Sequence, residues 1–116
     1  MKTFNKMAAQ GDFLIIRINE IPADVEEFKA EGDHYVIAHS ETGHNHVMER
    51  TNVAAFKPKG VEERDLYQLF LNVSQPTEIN HLRSFDTHES ILVTEGKYMI
   101  RRQREYTPEG YRRAAD

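Results

Sequence analysis

Residues 65–73 read DLYQLFLNV, and this is the clearest strand signal in the chain. Tyr67, Leu69, Leu71 and Val73 fall two residues apart, so an extended backbone puts all four on one face, which is predicted to be buried. On both sides the same kind of burst recurs. Downstream, after SQP, TEINHL (77–82) places Ile79 and His81 on one side of a further strand, RSFDTHES is polar loop, and ILVT is a short strand. Glu95-Gly96 then makes a tight turn into the last strand, KYMIRRQREY (97–106), ended by Pro108 and Gly110. In the last strand RRQRE is polar on both faces, which predicts an edge position or a wet groove beneath it. YRRAAD (111–116) can close the chain with a short C-terminal helix.

Upstream, DFLIIRINEI (12–21) is a strand closed by Pro22, and the acidic ADVEEFKAEGD (23–33) is read as one helical turn or a loop. HYVIAHS (34–40) is a strand in which Tyr35 and Ile37 alternate with Val36 and Ala38. ETGHN turns the chain at Gly43, and HVMERTNVAAF (46–56) returns as a single strand. KPKGVEER (57–64) is a charged loop. Short β-branched and aromatic bursts divided by Gly, Pro, Asn and Asp, with no long helical periodicity, give the fold class: mostly β, a small antiparallel β-sandwich or barrel of six or seven strands.

At 116 residues the chain has the length of one domain, so 1–116 is read as a single all-β domain. Its 39% hydrophobic and 29% charged residues are those of a globular protein, and no apolar run approaches the length that crosses a bilayer. The start, MKTFNKMAAQGD, lacks the apolar stretch of an export signal, so a cytoplasmic location and no membrane association are expected. With no cysteine, disulfides, thiolate nucleophiles and sulfur-ligated metals are excluded. A net charge of −4 argues against general nucleic-acid binding. The segment RRQREYTPEGYRR (101–113) is the local exception, with five arginines against two glutamates.

Three of the six histidines fall within HSETGHNH, residues 39–46. With Asn45 in a strand, His44 and His46 project from one face, about 6–7 Å apart at Cα, and can converge on one ion. A third ligand must come from elsewhere, and His81 at a strand end or His88 in a loop can supply it. His39 sits on the opposite arm of the hairpin. Glu49, three residues beyond His46, points to the other face unless the strand bulges. Any metal here must be held by nitrogen and oxygen donors, each ring nitrogen at about 2.0–2.1 Å if the ion is zinc. Three histidines would leave a position open for water, which zinc brings to a pKa of about 7, and Glu41 or Glu49 could then act as general base. Four ligands would make the site structural.

GHNHVME (43–49) resembles the first motif of cupins, in which His-x-His and a following glutamate ligate iron, manganese, zinc or nickel in a small β-barrel, so the resemblance implies one of these divalent metals; here the interval to Glu49 is shorter, and no second cupin motif surrounds His81. Over the whole chain, QGDFLIIRINEIP, VIAHSETGHNHV and EGKYMIRRQREYTPEGYRR resemble a group of small uncharacterised prokaryotic and phage proteins. They share a Gly-His-x-His hairpin, a later histidine-rich turn, and a closing motif whose positions here are Gly96, Tyr98, Gln103, Arg104, Glu105, Tyr106 and Pro108. LRSFDT separates His81 from His88, so either can be the counterpart of the turn histidine. The resemblance implies a common small fold with a shared polar centre, and no particular activity.

Three functional expectations follow. The first is a metal-binding protein with a histidine-centred site, open to metal-assisted hydrolysis. The second is a non-catalytic phage or mobile-element accessory module that binds a host protein or a small ligand, with the cationic last strand and the acidic 23–33 segment as contact surfaces, Tyr106 and Tyr111 beside the arginines at the surface and Tyr98 in the core. The third is a metal-free phosphoesterase using His44 and His46 as acid and base with an arginine such as Arg104 beside them.

Overall fold

The computed structural model describes residues 2–10, 13–39, 45–62, 65–81 and 90–102. They form ten strands in two sheets, and the described residues include no α-helix. The strands are β1 (Met7–Gln10), β2 (Phe13–Ile18), β3 (Val25–Glu27), β4 (His34–Ala38), β5 (His46–Glu49), β6 (Val53–Pro58), β7 (Gln68–Val73), β8 (Thr77–His81), β9 (Ile91–Val93) and β10 (Gly96–Arg102). The larger sheet runs β1-β2-β10-β7-β6-β3, the smaller β4-β5-β8-β9, and every strand pairing is antiparallel. Neither sheet closes on itself, so the sandwich is realised and the barrel is not.

Period-two alternation makes the core. Phe13 and Ile15 on β2, Tyr98 and Ile100 on β10, Leu69, Leu71 and Val73 on β7, and Val53 and Ala55 on β6 are buried on the larger sheet. They join one cluster with Tyr35, Ile37, Met48, Ile79, Ile91 and Val93 of the smaller sheet. Each fully buried Leu, Ile or Val contributes about 1.5–3 kcal/mol, which is what holds two such sheets face to face. A polar tie joins the sheets inside the core, where Tyr35 Oη donates to the Val53 carbonyl at 3.1 Å, and the Tyr35 ring stacks on Phe28.

Several expectations are corrected. Residues 46–56 are two strands in different sheets, because a turn closed by Val53 N–H donating to the Arg50 carbonyl at 3.1 Å carries the chain across. The acidic 23–33 stretch holds a short strand, β3, paired with β6. A first strand, β1, precedes the expected one. Tyr67 lies outside β7 and is 40% exposed, so only Leu69, Leu71 and Val73 share the buried face. β10 is central, between β2 and β7, which rules out the edge position that was one of the two expected for its polar end. Only the first two residues of RRQRE lie in the described strand, and Tyr98 and Ile100 before them set its inner face. The expected C-terminal helix falls outside the described residues. No helix among the described residues is long and apolar enough to cross a membrane.

Two arginines brace the sandwich at opposite ends. Arg17 donates to the carbonyls of Asn5 and Glu95 and to Thr94 Oγ1, and lies 4.9 Å from the Tyr98 ring centre. Gly96, at φ +148°, leaves room for that guanidinium. Gly96 and Tyr98 of the closing motif therefore serve the fold. The open edges are also covered: Lys2 backbone bonds to Ser90 and Leu92 beside β9, and its Nζ donates to the Ala9 carbonyl on the β1 edge.

Candidate functional site

The other end of the sandwich holds the polar centre. β2 begins there at Phe13 and β10 ends there at Arg102, paired with Phe13; β5 begins there at His46 and β8 ends there at His81, paired with His46. Ala38, the last residue of β4, pairs with His46 and so stands at this end too.

His46 and His81 are cross-strand neighbours, and this follows from local pattern plus register. On β5 the alternation His46, Met48 faces the core; on β8 Thr77, Ile79 and His81 do the same; pairing Met48 with Ile79 then sets the two histidines opposite each other. His46 is fully buried and His81 is 9% exposed. Their rings lie nearly parallel, centres 4.1 Å apart at 10°, and Phe13 presents an edge contact to His46 at 5.1 Å. Two parallel imidazoles direct their lone pairs within parallel planes that do not meet. An ion held at about 2.0–2.1 Å by a nitrogen of each must lie in both ring planes, so binding requires one ring to turn about χ2, a soft torsion for histidine.

His39 is exposed, and its Nδ1 lies 3.2 Å from Asn45 Oδ1, joining the two arms of the hairpin at its base. Glu49 is exposed on the outer face of the smaller sheet, away from the histidine pair, in a row with His34 on β4. His44, His88, Glu41 and Arg104 lie outside the described residues. Among the described residues no group of three metal-ligating side chains converges.

Of two further residues at this end, the sequence does not single out the first, and the second enters only as one of the arginines of RRQRE (101–105). Phe13 packs on His46, and Arg102 shares the inner-face parity of Tyr98 and Ile100. The signal for Arg102 was present: continuing the alternation of Tyr98 and Ile100 by two residues places a guanidinium, rather than an aliphatic side chain, over the core. Its Nε donates to the Ile37 carbonyl at 2.8 Å and its Nη2 to the Val36 carbonyl at 3.1 Å.

A family model for DUF8820, a domain of unknown function, matches residues 9–103. The chain belongs to the DUF8820 family. The match spans both sheets of the sandwich and includes His46, His81, Phe13 and Arg102, so the buried pair lies inside the DUF8820 domain. No curated protein and no solved structure matches the chain.

Proposed function

We propose that this protein is a divalent-metal-binding β domain whose ligand set starts from His46 and His81 and is completed by His44 or His88. One observation carries the reading: two imidazoles, far apart in sequence, are directly paired across strands at the end of an otherwise apolar core. An apolar side chain would fill that space without bringing polar nitrogens into the core, so retaining two histidines is what a functional site calls for. The donors are nitrogen and oxygen, which suits zinc, iron, manganese or nickel. A set of three imidazoles leaves room for a bound water, and zinc would bring that water to a pKa near 7 for hydrolytic chemistry.

The test is elemental analysis of untagged protein, repeated for His46→Leu and His81→Leu with the fold checked by circular dichroism. About one metal per chain, lost in either variant, supports the reading. Folded wild-type protein that takes up no zinc, iron, manganese or nickel overturns it. A second reading, a module that binds a host protein or small ligand, has its own observation. Pro58, Val61, Leu66, exposed Tyr67 and Arg101 line an open depression of about 480 Å³ beside the end of β10. A stable partner complex abolished by Tyr67→Ala, with no metal present, would favour it.

A further inference from the structure

We infer that Arg102 is a positioning residue for the histidine pair: by holding a bulge in β4 it fixes where the His46 ring stands. The inference rests on the metal-binding reading for its function but not for its geometry.

β4 carries one residue more than β5. Val36 pairs with Val47, yet the next pair is Ala38 with His46, so Ile37 is the extra residue of a β-bulge. A bulge re-aims the side chains that follow it. Here it makes Val36, Ile37 and Ala38 buried in succession and sets the small Ala38, instead of Ile37, opposite His46. β4 is the outer strand of its sheet, so its far side faces no further strand. The Arg102 guanidinium meets the bulge there, donating through Nε and Nη2 to two successive carbonyls, Ile37 and Val36. Only a planar fork offers two such donors at fixed spacing; a lysine ammonium is a point charge without it.

Arg102 is itself firmly held. Its backbone N–H donates to the Tyr67 carbonyl at 2.7 Å, it pairs with Phe13 across the strands, and its guanidinium lies 5.8 Å from the Phe28 ring centre. Its fork therefore acts on His46 by way of the bulge and Ala38, while Phe13, its backbone partner, edges the imidazole. Without the fork, β4 can slip to the regular register that puts Ile37 opposite His46. That position has no spare room, since His46 is fully buried, and the ring must move.

Arg17 is the internal control. It braces the same sheet with three hydrogen bonds, but it stands four residues along β2 from Phe13, about 13 Å away. Its loss removes a brace of similar size without touching the histidines.

The experiment compares wild type, Arg102→Lys, Arg102→Met and Arg17→Met in two measurements. Zinc alone is titrated against a chelator, and contacts between the His46 and His81 rings are read by NMR in metal-free protein. Both methionine variants are expected to melt earlier. Zinc affinity should fall by about tenfold or more in Arg102→Met and Arg102→Lys and stay within about twofold in Arg17→Met. The ring-to-ring contacts should weaken in the two Arg102 variants alone. If Arg102→Met fails to fold, Arg102→Lys decides. If wild type binds no zinc, the affinity comparison is made with whichever of iron, manganese or nickel it takes up; if it takes up none of the four, the metal reading fails by itself, and the ring contacts still decide the positioning role. Unchanged His46–His81 contacts in the Arg102 variants, or zinc affinities equal to those of Arg17→Met, overturn the inference.

Discussion

Gly96→Ala tests how the sandwich is braced at the end opposite the histidines. A Cβ built on Gly96 would stand 2.5 Å from Arg17 Nη1, and the φ of +148° is a conformation that side-chain-bearing residues rarely adopt. The backbone strain alone costs about 1–2 kcal/mol. The guanidinium can swing aside, but only by giving up its bonds to Glu95, Asn5 and Thr94. At these partly exposed positions three bonds contribute about 2 kcal/mol together. Gly96→Ala should therefore cost about 3–4 kcal/mol, Arg17→Ala about 2, and Gly96→Ala in the Arg17→Ala background only the strain, about 1–2. Urea denaturation of the four proteins closes the cycle, with an expected coupling near 2 kcal/mol. Additivity within about 0.5 kcal/mol would refute the claim that the glycine is there to admit the arginine.

Three further outcomes are expected. Glu26 accepts from Lys57 Nζ and from the Gly60 N–H, and these bonds hold its carboxyl below the ordinary 4.5. A carboxylate with a depressed folded value stabilises the fold above 4.5 and loses that contribution as pH falls through the folded value. The melting-temperature gap between wild type and Glu26→Gln should thus be full at neutral pH and close below 4.5; a gap that widens on acidification contradicts the ion pair. With chelator present, so that all three proteins are metal-free, His46→Leu and His81→Leu should each unfold within about 1 kcal/mol of wild type, since leucine nearly matches the imidazole in volume. A loss above about 3 kcal/mol in denaturant would mean that the rings hold the core instead. Tyr35→Phe removes the buried bond to the Val53 carbonyl and should cost about 1–2 kcal/mol in the same assay; an unchanged midpoint would mean that the bond contributes nothing.

Which residues alternate, and hence which form strands, is a local property, and the sequence by itself determined it for most of the fold. Leu69, Leu71 and Val73 share a buried face, Ile79 and His81 share another, and Gly96 opens the last strand because each pattern needs only its own neighbours. The two-residue period also places Glu49 on the face opposite His46 before any partner strand is known.

Pairing between strands is a long-range property, and only the tertiary structure decided it. The sequence could not divide 46–56 between two sheets, since a turn at Arg50–Asn52 reads like an irregular strand until each half finds a different partner. Nor could it place β10 centrally, because burial of Tyr98 and Ile100 against both neighbours outweighs the polar run that follows. His46 meets His81 through the single register that aligns Met48 with Ile79, a contact spanning thirty-five residues of chain (81 − 46). Arg102 reaches the β4 bulge only because packing of the two apolar faces brings an arginine from one sheet to the carbonyls of the other. Local chemistry chose the residues, and burial of the shared core chose their partners.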